Sequence, residues 1–214
     1  TAIVTVEVSA LSGFDVTVPF TAGGSALDPD DYTLAPNPVV IPAGNLTADI
    51  TVTLVADALD EADEDVVLML GTPTNATVGA PAAHTLTITD DDAAPTIDWT
   101  VASEMLPEST GNVTVTAQLS APTGFAVSLP FVVSGNAANP NDYTVTASPL
   151  MIPAGMTSAS AVISVVDDGE DETDETVVLT MGTPVGALVG AVDTYTLTIN
   201  DDDAPPTVEF TLAA

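Results

Sequence analysis

The feature that most limits what this chain can fold into is that its text is written twice. Residues 4–103 lie over residues 115–214 at a constant offset of 111, without a gap and with roughly half of the positions identical. Gly13-Phe14 returns as Gly124-Phe125, Pro19-Phe20 as Pro130-Phe131, and Asp31-Tyr32-Thr33 as Asp142-Tyr143-Thr144. Ile41-Pro42-Ala43-Gly44 returns as Ile152-Pro153-Ala154-Gly155, and Gly71-Thr72-Pro73 as Gly182-Thr183-Pro184. Any fold assigned to one copy must therefore serve both.

Within a copy the apolar residues have period two: Val4, Val6 and Val8; Val16, Val18 and Phe20; Ile50, Val52 and Leu54; Leu86 and Ile88. Such alternation sends one row of side chains to a core and the other to water, the pattern of a half-buried strand. The intervening Thr, Ser and Asp suit the wet face, and no segment carries a helical period. Turn residues punctuate the runs, as at Ala22-Gly23-Gly24-Ser25 and Pro42-Ala43-Gly44. About seven strands in about 110 residues predict an all-β fold of tandem immunoglobulin-like antiparallel β-sandwiches. With one Trp, five Phe and three Tyr, the cores must be built mainly from Val, Leu, Ile and Ala.

The repeat also sets the boundaries. Residues 1–92 read as a sandwich lacking its first strand, because that copy opens at the counterpart of residue 112. Residues 93–203 read as a complete sandwich whose first strand lies near residues 96–102. Residues 204–214 repeat that first strand for a following or neighbouring domain. Two full periods would also contain counterparts of the residues from Glu104 through Gly111. Either the sequence is an excerpt from a long tandem array, or copies lie head to tail and the segment from Pro205 to Ala214 completes the next copy by strand addition. On both readings residues 1–92 should be the less stable unit, because an apolar edge is left unpaired. The opening residue falls in mid-pattern, so a longer, processed polypeptide is expected.

The 31 Asp and Glu face no Lys and no Arg, for a formal charge of -31. Such charge often means disorder, but 46% hydrophobic residues argue that the chain folds. Repulsion must then be offset by spreading, by salt or by bound cations. Nucleic acid is excluded as a partner, since phosphate contacts need Lys and Arg, and anionic membrane surfaces are disfavoured for the same reason. No apolar run approaches the ~18 residues of a membrane span, so no direct membrane insertion is expected. There is no cysteine and hence no disulfide framework.

A catalytic role is not expected either. His84 is the single histidine, and its counterpart is Tyr195, which marks it as a strand residue; neither a nucleophile with its base nor a phosphate cradle is available. A glycosidase pair of carboxylates cannot be singled out among so many. Trp99 corresponds to Phe210 and is expected in the core. Three glycosylation sequons, at Asn45, Asn75 and Asn112, are close to what chance supplies in a Thr-rich chain.

The carboxylates are not evenly spread. Thr89-Asp90-Asp91-Asp92 returns as Asn200-Asp201-Asp202-Asp203, and a second acidic run precedes Val66-Val67-Leu68 and Val177-Val178-Leu179. Two strands, one up and one down, separate the acidic run from the triplet, so the two loops share a pole of the sandwich. Calcium accepts about six to eight oxygens in irregular geometry, which converging acidic loops can supply. The spacing of Asp167-Asp168-Gly169-Glu170-Asp171-Glu172 is not that of an EF-hand.

The order Asp-Tyr-Thr, Ile-Pro-Ala-Gly, acidic run before Val-Val-Leu, then Thr-Leu-Thr-Ile leading to an Asp triplet resembles the Calx-beta domain, twice over essentially the whole chain. The resemblance implies an immunoglobulin-like sandwich and, as in the calcium-binding members, a cluster of ions held by carboxylates from several loops at one end. Members occur in the cytosolic regulatory part of sodium–calcium exchangers, in integrin tails and in large secreted or surface proteins of bacteria. Carried over to this chain, the resemblance implies as metal ligands Glu108, Asp142, Asp167, Asp168, Glu172, Asp201, Asp202 and Asp203 in the second copy. In the first it implies Asp31, Asp57, Glu61, Asp90, Asp91 and Asp92, with Ala56 in the place of Asp167 and no counterpart of Glu108 in the chain.

The function expected is that of an extracellular or cell-surface structural and adhesive repeat protein, an array or filament stiffened by calcium. Its partners would be neighbouring copies or domains of the same protein. Two alternatives stay open: a metal-independent filament subunit assembled by strand complementation, and a carbohydrate- or protein-binding adhesin module. A cytosolic calcium sensor is a weaker third.

Overall fold

The alternating Val-Thr and Leu-Thr segments become strands, and the computed structural model, which describes residues 1–35 and 37–210, groups them in two units, Thr1–Asp92 and Ala93–Ala214. The first unit contains β1 (Ala2–Glu7), β2 (Val16–Val18), β3 (Phe20–Gly24), β4 (Tyr32–Leu34), β5 (Val39–Ile41), β6 (Thr47–Leu54), β7 (Glu64–Leu70) and β8 (Ala83–Ile88). They form the sheets β1-β6-β4 and β3-β7-β8, with β2 and β5 as a separate pair, all antiparallel.

The second unit opens with β9 (Thr96–Trp99) and β10 (Ser103–Pro107), then repeats the first as β11 (Asn112–Leu119), β12 (Val127–Leu129), β13 (Phe131–Gly135), β14 (Tyr143–Val145), β15 (Leu150–Ile152) and β16 (Ser158–Val165). It closes with β17 (Glu175–Met181), β18 (Leu188–Val189) and β19 (Thr194–Asn200). Its sheets are β14-β16-β11-β9-β18 and β10-β19-β17-β13, with β12 and β15 paired apart. The fold is all-β, built of immunoglobulin-like sandwiches. No helix among the described residues is long and apolar enough to cross a membrane.

Two expectations about strand extent are corrected. Val16, Val18 and Phe20 do not share one strand: Pro19 lacks an N–H, so the ladder breaks there, β2 pairing with β5 and β3 with β7. The Pro19 carbonyl instead accepts the Gly71 N–H at 2.8 Å, and Pro130 and Gly182 repeat the arrangement. The first strand expected near residues 96–102 ends at Trp99, and a second strand follows from Ser103. β9 pairs antiparallel with β11, the chain crosses at residues 100–102, and β10 lies parallel to β19 in the opposite sheet. One segment thus supplies a strand to each sheet, so two apolar rows gain a neighbour.

In the second unit the two sheets close on one core, in which Trp99 is 1% exposed and packs edge-on against Phe131, the ring centres 6.2 Å apart. Leu179, Leu197, Ile97 and Ile163 are fully buried there, each contributing roughly 1.5–3 kcal/mol of burial. The first unit has its own core around Val52, Val66, Ile50 and Ile41. Residues 204–210 form no strand in this chain, and Val208 and Phe210 are fully exposed. The remainder of the expected strand, residues 211–214, lies outside the described residues.

Candidate metal centre

Parallel strands leave a sheet at the same end. β10 runs parallel to β19 with Pro107 opposite Asn200, so Glu108 and the triplet Asp201, Asp202 and Asp203 emerge together. A short 3₁₀ turn, Glu108–Thr110, follows at once, and Gly111, at φ 76°, turns the chain into β11. β17 is antiparallel to β19 with Glu175 opposite Ile199, which brings the end of the acidic loop to the same pole. The Val166 N–H donates to the Asp142 carbonyl at 2.8 Å, tying the start of that loop to the Asp-Tyr motif.

Two groups of carboxylates result. Glu108, Asp202 and Asp203 form one, and Asp142, Glu172 and Glu175 the other; within each, one oxygen from every side chain lies within 4.8 Å of the others. Glu108 and the whole second group line one cleft together with Asp168 and Asp201. Local hydrogen bonds orient several members. The Ala138 N–H donates to Asp142, the Ser109 hydroxyl to Asp202 at 2.7 Å, and the Glu170 N–H to Asp168 at 2.8 Å.

The electrostatics show what is missing from this geometry. Glu108 is only 6% exposed, and its Oε1, like Oδ2 of Asp203, is buried with no hydrogen-bond partner. An ionised carboxylate so placed costs several kcal/mol. Burial pushes the Glu108 carboxyl up to about 7, helped by the proton it can share with Asp203 and by the charges of Asp203, Asp168 and Asp202. Burial likewise pushes Glu175 up to about 7, with Asp142 as hydrogen-bond partner and Asp142 and Glu172 as neighbouring charges. Glu172 is raised by desolvation and then by Asp142, Asp168, Glu170 and Asp201. With no Lys or Arg in the chain, only protons or bound cations can relieve this crowding. An oxygen-only donor set with orphaned buried carboxylate oxygens fits a hard divalent cation.

The first unit repeats the plan incompletely. Asp31, Asp57, Glu61, Glu64, Asp90, Asp91 and Asp92 line one cleft beside Ala56. The Val55 N–H donates to the Asp31 carbonyl at 2.9 Å, and Glu64 stands opposite Ile88. Glu64 is raised by burial, then by a hydrogen bond with Asp31 and the charges of Asp31 and Glu61; Glu61 and Asp92 are raised too, burial again leading. Among the described residues, however, no three carboxylates of this unit approach as closely as in either group of the second.

Of the residues inferred from sequence for the second unit, all but Asp167 line the cleft or belong to a close group; Asp167 is exposed and does neither. All six inferred for the first unit line its cleft. Glu175 and Glu64 are additional members. A signal for them exists: each stands near the end of the acidic run, two residues before Val-Val-Leu, and the pair recurs at the repeat offset. Only the register with Ile199 and Ile88 shows that this glutamate is a strand residue beside the pole.

The profile of the Calx-beta domain matches residues 1–92 and again residues 90–203. Among solved structures, CBD12 from CALX1.2 is 16% identical over 93% of this chain and 93% of its own, with a TM-score of 0.46. The calcium binding domain CBD12 of CALX1.1 is 16% identical over 92% of this chain and 93% of its own, with a TM-score of 0.45. The apo-form Calx CBD1 domain is 20% identical over 52% of this chain and 100% of its own, with a TM-score of 0.48. No curated protein is similar enough in sequence to match. Two consecutive profile matches, each laid over a sandwich whose acidic loops converge at one pole, place this chain in the Calx-beta domain family as a tandem of two such domains.

Proposed function

We propose that the chain is a calcium-binding structural segment of an extracellular or cell-surface protein, whose tandem domains are stiffened by the ions they hold. The observation that carries this reading is the buried Glu108 carboxylate, one oxygen unpartnered, facing Asp203 in a chain with no Lys or Arg. In the second unit Glu108, Asp202 and Asp203, and beside them Asp142, Glu172 and Glu175, would hold calcium. The ion would supply the positive charge these carboxylates lack. In the first unit the cleft around Asp31, Asp57 and the triplet would bind more weakly.

The stiffening follows from chain connectivity. Only Ala93 and Ala94 separate the triplet Asp90, Asp91 and Asp92 from Pro95 and β9, so a ligand held by the triplet restrains the residues that lead into the next domain. Extracellular calcium modules work at about 10⁻⁴ to 10⁻³ M, which suits an outside, high-calcium setting, as does a surface with no Lys or Arg. The test is calcium titration by calorimetry, paired with small-angle scattering in calcium and in chelator. Saturable binding with a narrower distribution of end-to-end lengths is expected; binding that leaves that distribution unchanged would sink the stiffening role, and no binding would sink the whole reading.

A further inference from the structure

The first unit carries an open groove of about 760 Å³, with Val4, Val6 and Val8 on one wall and Thr77, Gly79 and Pro81 on the other. The second unit shows what belongs in it. There β9 lies antiparallel to β11, the counterpart of β1, with Trp99 opposite Ala117, Asp98 opposite Gln118 and Ile97 opposite Leu119. On its other side β9 pairs in parallel with β18, the counterpart of Thr77 and Val78. A Cβ on Gly190 would collide with the Asp98 carboxylate, whereas its counterpart Gly79 has nothing within 4 Å. The core records the same vacancy: Val115 and Leu119 are each 3% exposed, and their counterparts Val4 and Val8 are only half-buried.

The chain also contains a copy of the strand that fits. Thr207-Val208-Glu209-Phe210 repeats Thr96-Ile97-Asp98-Trp99 at the same offset, and Val208 and Phe210, in the places of Ile97 and Trp99, are fully exposed. We propose that the groove is an acceptor for this segment of a second copy of the chain, which adds as an antiparallel strand beside β1. The repeat register puts Phe210 opposite Val6, Glu209 opposite Glu7 and Val208 opposite Val8. Phe210 then reaches Phe20 as Trp99 reaches Phe131, and main-chain pairing supplies the hydrogen bonds while the two apolar side chains set the register. Ser9 stands where Ser120 exchanges bonds with Thr96, the Thr96 N–H donating to the Ser120 hydroxyl and the Ser120 N–H to the Thr96 carbonyl. Thr207 therefore finds the same partner. Because each copy has one groove and one donor, the association is heterologous and propagates head to tail.

The inference does not rest on calcium, and its test runs in calcium and in chelator alike. Sedimentation velocity of the 214-residue chain over a range of concentrations should show mass rising to species of many copies. The variant Val208→Asp with Phe210→Asp, altered only at exposed positions, should fold unchanged by circular dichroism and remain a monomer. A synthetic peptide of residues 204–214 should shorten the assemblies and raise the melting temperature of the first unit. Glu7→Gln, which removes one of two facing carboxylates, should tighten assembly. A chain that is monomeric at every concentration overturns the proposal, as does assembly that persists in the double variant. So does a monomer whose first unit is destabilised by the double variant, because the tail would then be filling the groove of its own chain.

Discussion

Leu86 and Leu197 are the same residue of the repeat, as are His84 and Tyr195, yet their surroundings differ. Leu197 and Tyr195 are buried between two sheets, and the Tyr195 hydroxyl donates to Glu104 of β10 at 2.7 Å. Leu86 is half-buried and His84 exposed, because among the described residues no strand lies beside β8 where β10 lies beside β19. The acidic poles differ for the same reason: β10 delivers Glu108 to the second pole, and among the described residues no counterpart stands at the first. A near-copy of a sequence thus reaches two degrees of completion, and the difference is one strand-forming segment that serves the core of both sheets and the metal centre at once.

The largest effect should come from that core. Leu197→Ala should cost the second unit about 2–5 kcal/mol, and Leu86→Ala should cost the first less than half as much, read as separate transitions in urea. Equal losses would mean that the half-buried row of the first unit is covered in solution. Next comes calcium. At a free concentration of about 100 times Kd a site adds roughly 2.7 kcal/mol, so the melting temperature of the second unit should rise by about 10 °C or more, and that of the first by less. Calorimetry showing equal rises would remove the distinction between the poles.

The third comparison is with pH in chelator. The folded second unit holds protons on Glu108 and Glu175 up to about 7, whereas the unfolded chain releases them near the ordinary glutamate value. The folded form therefore binds more protons across that window. Its stability is full below about pH 4.5 and falls as pH rises through about 7. Glu61 and Glu64 are raised in the same direction in the first unit, so a smaller loss of the same sign is expected there. Thermal melts from pH 5 to pH 8 check both, and a stability that climbs with pH would contradict the assignment. The smallest effect is Glu108→Gln, which should weaken calcium at the second unit about tenfold, roughly 1.4 kcal/mol, and leave the first unit untouched. Isothermal titration resolving two classes of site decides it; unchanged affinity in the second unit would exclude Glu108 as a ligand.

Much of this is local and therefore readable in one dimension. Alternation at Val4, Val6 and Val8 or at Leu197 and Ile199 states which side chains share a face, because side-chain direction in a strand reverses at every residue. The offset of 111 states that two domains of one kind follow each other, and the order of strands and acidic runs states that the loops holding Asp168 and Asp201 share a pole. Which strand lies beside which is another matter, since hydrogen-bond partners are chosen across the chain. Nothing in the text from Thr96 to Pro107 says that it divides between two sheets, that its second half runs parallel to β19, or that Glu108 is buried in consequence. Glu175 likewise closes an acidic run in sequence and joins the pole only through its register with Ile199. Period and repeat by themselves determined two acidic sandwiches; the non-local pairing of β9 and β10 decided which of them has a closed core and a buried glutamate at its acidic pole.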